Sequence, residues 1–129
     1  MDNVPHTFGK EERLCSRKAI EDLFSGGHQS VSAYPIRAVF MPREEPGIRI
    51  MVSVSKRYFK RAVKRNRIKR QIREAYRLQK ELLLSLNGGL DIAFLWTSDE
   101  ILLTEKVFQN MHNILQRIHE SLSSVPSVS

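Results

Sequence analysis

The sequence predicts an α+β sandwich of order α-β-β-β-α-β-α, with helices layered on a mostly antiparallel sheet. Three observations carry this. Ile48, Ile50, Val52 and Val54 alternate with Arg49, Met51 and Ser53, the period of a half-buried strand. Ile68, Ile72, Ala75 and Leu82, flanked by Tyr76 and Leu83, share one side of a helix with 3.6 residues per turn. Asp91-Ile92-Ala93-Phe94-Leu95-Trp96 is almost continuously apolar and short enough for a buried central strand. Strand 48–54, the helix and strand 91–96 together permit a parallel βαβ unit, for which strand twist favours a right-handed crossover.

In chain order, residues 1–9 read as a loose arm interrupted by Pro5 and Gly9, with Phe8 as the one large apolar group. Leu14, Ile20, Leu23 and Phe24, with Ala19 beside them, give a short amphipathic helix beginning near Ser16 or Arg17. Gly26-Gly27 ends it. Gln29 to Ser32 and Ile36 to Met41 are extended segments, with Pro35 marking a strand start or an edge. Pro42 to Gly47 reads as a turn before the 48–54 strand. The central helix is expected to run to about Leu86, where Asn87-Gly88-Gly89 supplies a stop. A last helix from Thr104 to Leu122 presents Val107, Met111, Ile114, Leu115, Ile118 and Leu122 to the sheet. With 129 residues the chain suits one core, placed in a single domain over residues 1–122 with a flexible tail at 123–129.

Charge gives this scaffold its function class. Lys56 to Lys80 holds twelve of the twenty-one Lys and Arg residues and one acid, Glu74, for a formal +11. The rest of the chain carries nine basic and thirteen acidic residues, a formal −4, so the net +7 is local. Such a concentration costs self-repulsion, which a polyanion relieves. Asn66, Arg70, Arg73 and Arg77 fall at i, i+4, i+7 and i+11, opposite the apolar stripe, with Lys69 and Lys80 beside them and Arg67 on the far flank. Arginine presents a planar, permanently charged fork that matches phosphate. A solvated helix face is the plainer reading of a charge run. With Glu74 the only acid before Glu81, however, few ion pairs along the helix account for this one.

Other chemistries find no support in the sequence. Cys15 is the only cysteine, which excludes an internal disulfide and a cysteine-based zinc site and is compatible with a cytoplasmic location. His6, His28, His112 and His119 are scattered without a third ligand at metal spacing, so no metal site is expected. No glycine-rich phosphate loop and no nucleophile with a paired base is present, and Ser55 reads as a helix-entry or loop residue. No secretory signal or membrane span is expected, and a helix lying on a membrane surface would need its apolar stripe, which the core requires.

The same residues carry a family likeness. Val54-Ser55-Lys56-Arg57, Ala62-Val63-Lys64-Arg65-Asn66-Arg67-Ile68-Lys69-Arg70 and Arg73-Glu74-Ala75-Tyr76-Arg77 resemble, in order, the Arg-Asn-Arg signature of the bacterial ribonuclease P protein subunit. Phe8, Arg13-Leu14, Ile20 and Leu23-Phe24 follow that family's N-terminal pattern. One departure is that Tyr58-Phe59-Lys60-Arg61 lacks the glycine of the family's linker and is slightly longer. The resemblance implies a left-handed βαβ crossover, against the general rule. It also implies a ribonucleoprotein endonuclease whose catalyst is RNA, acting on precursor tRNA with Mg²⁺ held mainly by the RNA, and with no protein partner required.

Residue by residue, the likeness places Arg65, Asn66, Arg67, Lys69, Arg70 and Arg73 against the catalytic RNA, with Lys56, Arg57, Lys60, Arg61, Lys64 and Arg77 as secondary contacts. The 5′ leader of the precursor is expected in a cleft between the first helix and the sheet, contacted by Phe24, Ile20, Tyr34 and Phe8. Ile20 stands where the family often has an aromatic, so stacking is weaker there. By periodicity alone, Ile20 and Phe24 are simply core positions of an amphipathic helix. Stacking on an aromatic tolerates any base, which a surface for variable leaders needs.

Two competing readings are a structural RNA binder of ribosomal-protein type and a self-sufficient nuclease. The charge count itself makes a prediction. If six to ten phosphates are contacted, RNA affinity falls about 10³- to 10⁵-fold between 50 and 200 mM salt. A titration with a flat salt response would contradict it.

Overall fold

The computed structural model describes residues 13–14, 17–25, 29–84 and 88–123. Its elements are α1 (Arg17–Ser25), β1 (Gln29–Ala33), β2 (Ile36–Arg43), β3 (Gly47–Val54), α2 (Ala62–Gln79), a 3₁₀ turn (Lys80–Leu83), β4 (Gly89–Trp96) and α3 (Thr104–Ser123). The four strands form one sheet in the order β1-β2-β4-β3. β1 pairs with β2 and β2 with β4 antiparallel, while β3 and β4 run parallel from Gly47↔Gly89 to Val54↔Trp96. The expected sandwich, its mostly antiparallel sheet and the β3-α2-β4 unit are all present.

Alternation along the strands sorts side chains onto two faces. Ile36, Ala38 and Phe40 of β2, Ile50, Val52 and Val54 of β3, and Leu90, Ile92, Phe94 and Trp96 of β4 form the main core with the apolar sides of α2 and α3. From α2 come Ile68 and Ile72, both fully buried, with Ala75 and Tyr76. Tyr76 tilts against Phe94 with ring centroids 5.9 Å apart. From α3 come Val107, Met111, Ile114, Leu115 and Ile118, all fully buried, as the periodicity predicted. The opposite face of the sheet is covered by α1. Leu14, Leu23, Val39 and Ala93 form a smaller cluster there, with Ala19, Ile20, Met41, Met51 and Leu95 packed against it.

Several boundaries differ from expectation. Leu14 reaches its cluster from outside α1, because Arg13 bridges Ile50 in parallel and the Leu14 amide donates to the Ile50 carbonyl at 2.7 Å. This strip covers part of the outer edge of β3. β2 continues through Pro42 and Arg43, which pair with Leu90 and Gly89, so the turn shrinks to residues 44–46. Pro42 is tolerated because β1 as described pairs only as far as Phe40, leaving β2 a local edge. α2 stops at Gln79, and Lys80, expected beside the basic face, is buried in the tighter turn that follows. Gly89 begins β4 instead of ending a helix. A Cβ at this position would overlap the Glu45 carbonyl oxygen, so glycine is what lets the strand pass beneath the β2–β3 turn. Phe8, Cys15, the Gly26-Gly27 pair and Asn87 lie outside the described residues.

The apolar reading of β4 passed over Asp91, which is 3% exposed on the α1 side of a central strand. Arg49 meets it as a fork, Nε to Oδ1 and Nη2 to Oδ2, both at 2.9 Å. Arg43 Nε approaches Oδ1 to 3.1 Å as an ion pair, and Arg43 Nη2 donates to the Gly47 carbonyl at 3.0 Å. One carboxylate therefore ties the ends of β2 and β3 to the strand between them. Breaking a buried ion pair by removing one partner strands the other's charge. Asp91→Ala is expected to cost roughly 3 kcal/mol in a denaturant titration, the low end of that range because both arginines keep some solvent. A loss below about 1 kcal/mol, typical of surface pairs, would show that the arginines are solvated instead.

Candidate nucleic-acid interface

α2 is amphipathic in a strict sense: the stripe that enters the core leaves the opposite side open to water. Asn66, Arg67, Arg70 and Arg73 are exposed, as are Lys64 at the first turn and Lys56, Arg57, Lys60 and Arg61 in the segment before it. Asn66, Arg70, Arg73 and Arg77, placed together by helical spacing, line a shallow depression with Glu74. Arg67 lies outside that depression, and Lys69 is half-buried. Of the residues expected at the RNA surface, Asn66, Arg70, Arg73 and Arg77 are thus gathered on one side of α2, whereas Arg65 is half-buried and donates to the backbone carbonyls of Phe59 and Lys60.

The positive charge of this face is reinforced at the start of the helix. α2 has no side-chain cap, no acid in its first turn, and Lys64 and Arg65 at the end where the helix dipole is positive. Arg77 is the exception. It is bound to Glu74, one turn back, through Nε at 3.2 Å and through a second contact from Nη2 to Oε2. Hydrogen bonding from Arg77 holds the Glu74 carboxyl below its ordinary range against the opposing effect of burial, and Glu74 in turn raises Arg77. A depressed carboxylate contributes its stability above its unfolded-state value and loses it as the pH falls through the folded one, so the pair is intact at neutral pH.

The segment between β3 and α2, different in sequence from the family's linker, is a compact turn. The Ser55 carbonyl accepts from the Tyr58 and Phe59 amides at 3.1 and 3.3 Å, and its hydroxyl accepts from the Arg57 amide at 3.0 Å. Ser55 is thus a turn residue, as read from the sequence. Phe59 is buried and anchors the turn in the core.

On the other face, Phe24 is 42% exposed on α1, while Ile20, one turn earlier, packs against the smaller cluster. Tyr34, 73% exposed, sits in the β1–β2 turn, whose carbonyl at Tyr34 accepts from Asn110 of α3 at 3.2 Å. The turn is therefore tied to the helix on the far side of the sheet from α1, and the structure does not unite Tyr34 with Ile20 and Phe24. Phe8 lies outside the described residues. Arg37, which the sequence reading passed over, is exposed and alternates with Val39 and Met41, so it shares the α1 side with its neighbour Leu95. Its signal was a lone cation in an otherwise apolar strand.

Sequence reasoning also missed Gln79, buried among apolar groups. Its amide donates to the Ala75 and Phe108 carbonyls, so its oxygen accepts from His112 Nδ1 at 3.0 Å, joining α2 to α3. Gln71 makes a second link, to the Leu102 carbonyl and the Thr104 hydroxyl. Among the described residues no three His, Cys, Asp or Glu side chains converge as metal ligands, and no helix is long and apolar enough to cross a membrane.

Comparison with known proteins gives a consistent set of likenesses. The family model described as Ribonuclease P matches residues 8–119. A ribonuclease P protein component from Porphyromonas gingivalis strain W83 is 42% identical over 132 aligned positions, covering 95% of this chain and 93% of its own length. One from Idiomarina loihiensis is 41% identical over 73 positions, 57% of this chain and 58% of the relative. The solved RNase P protein from Thermotoga maritima superposes with a TM-score of 0.68 at 23% identity, over 82% of this chain and 96% of its own. That from Staphylococcus aureus gives 0.67 at 22%, over 87% and 98%. At such identities these structures speak for the fold.

Two substitutions separate the faces of α2. Arg70→Ala is expected to weaken RNA binding while leaving the melting transition within about 0.5 kcal/mol of the parent, as for surface changes generally. Glu74→Gln, which releases the Arg77 fork, is expected to strengthen RNA binding a few-fold at low salt. A loss of cooperative melting in Arg70→Ala, or a weaker complex with Glu74→Gln, would contradict this division.

Proposed function

The chain belongs to the ribonuclease P family, and from that premise we propose that it is the protein subunit of a ribonuclease P ribonucleoprotein, assisting removal of the 5′ leader from precursor tRNA in the cytoplasm. The observation that carries the reading is the exposed cationic face of α2 fixed to a rigid core. Arg67, Lys69, Arg70 and Arg73, with Asn66 setting register through a polar contact, neutralise phosphates of the catalytic RNA and favour its active fold. Lys56, Arg57, Lys60, Arg61 and Lys64 extend that contact.

The α1 side of the sheet is suited to the leader. Phe24 offers a stacking surface of about 1–3 kcal/mol per base, and Arg37 adds a cation for the backbone. Ile20 contributes packing, while Tyr34, drawn toward α3, stands apart from this surface. A protein that holds the leader binds precursor better than product, since only the precursor carries that strand.

When bound, Mg²⁺ would supply charge neutralisation and an activated water for the phosphodiester hydrolysis. As the family likeness implies, the ion would be held mainly by the RNA. The protein's own contribution is electrostatic and positional, and no protein partner is needed for it.

Adding the purified chain to bacterial ribonuclease P RNA at low Mg²⁺ tests the proposal. Restored maturation of precursor tRNA is the expected result. Binding without stimulation would favour a purely structural RNA binder, and cleavage without added RNA a self-sufficient nuclease.

A further inference from the structure

We propose that Arg65 is a positioning residue that clasps the turn before α2, so that Lys56, Arg57, Lys60 and Arg61 are held as a fixed extension of the cationic face. The inference rests on the RNA-binding reading above and assigns Arg65 a role distinct from its neighbours on the helix. Its Nη1 donates to the Phe59 carbonyl at 2.8 Å and to the Lys60 carbonyl at 2.9 Å. Those two carbonyls precede the helix, whose first backbone bond runs from the Arg65 amide to Arg61 at 3.3 Å. One nitrogen thus satisfies two acceptors that the helix does not reach.

The turn has need of such a tie. Residues 55–61 contain no proline to restrict their path, and they carry four cations that repel one another. Ser55 closes the beginning of the turn and buried Phe59 anchors its middle. Beyond Phe59, the clasp is what joins the turn to the first turn of α2. Bonds from a charged donor are stronger than neutral ones, which suits a contact that must resist that repulsion. Without the clasp the segment would have to be ordered at the moment RNA arrives, at a cost in affinity. The clasp places that ordering in the free protein.

Two measurements on the full chain test the clasp. The first is backbone amide hydrogen exchange of the free protein carrying Arg65→Ala. The Tyr58 and Phe59 amides are expected to lose protection while those of Ile68 and Ile72 keep it. The second is the salt dependence of binding to ribonuclease P RNA. Loss of one phosphate contact lowers the slope by about 1, the result expected for Arg67→Ala. Arg65→Ala is expected to lower it by about 2 to 3, because the turn's cations are released together. In a Lys60→Ala, Arg61→Ala background most of that effect should vanish. Unchanged exchange together with a slope change of about 1, additive with the turn variant, would make Arg65 a direct phosphate contact and overturn the proposal. Should Arg65→Ala fail to fold, Arg65→Lys, which keeps the charge and shortens the reach, is read in the same two ways. Absence of RNA binding by the unaltered chain would overturn the functional reading, and with it the purpose assigned to the clasp, whatever exchange shows.

Discussion

The seating of Ile68, Ile72, Ala75 and Tyr76 in the core fixes the direction of every cation on α2. A fully buried isoleucine contributes about 1.5–3 kcal/mol relative to an exposed one, so rotating the helix to hide its arginines would forfeit several such contributions and bury charge as well. The two faces are therefore one constraint. Because the apolar side cannot leave the sheet, the charged side cannot leave the solvent, and repulsion among its arginines is borne by the packing beneath them. Gln71 and Gln79 add links to α3 that resist rolling of the rod.

The parts of this arrangement that depend on periodicity were legible in the sequence. Alternation over 48–54, the stripe from Ile68 to Leu83 and the apolar side of α3 each name residues that the structure buries, with Ile48, Leu82 and Leu122 only partly so. Residues that act by meeting something distant in the chain were not legible. Asp91 reads as one polar letter in an apolar strand until Arg43 and Arg49, more than forty positions away, are brought to it by the register. Gly89 reads as a helix stop until the Glu45 carbonyl is found above it. The end of α2 was placed too late because Leu82 and Leu83 keep the apolar spacing while the backbone tightens into a 3₁₀ turn.

The candidate site divides in the same way. Asn66, Arg70, Arg73 and Arg77 share a helix, so their grouping follows from residue numbers alone. Arg65 belongs to that helix too, but its bonding depends on the path of the preceding turn, which spacing does not determine. On the α1 side, Phe24 and Ile20 keep their expected company. Tyr34 does not, because a turn between two strands can face either layer, and here Asn110 draws it toward α3.

Among the described residues β4 is the last strand, and it lies between β2 and β3, which do not pair with each other in the sheet. As the polypeptide emerges from the ribosome, all of α2 therefore leaves it before the strand that joins its platform does. Until residues 89–96 follow, the nascent protein is a tethered polycation with greasy residues exposed among its charges. Its assembly is thus a matter of timing as well as of shape, with closure of the fold deferred until β4 has left the ribosome.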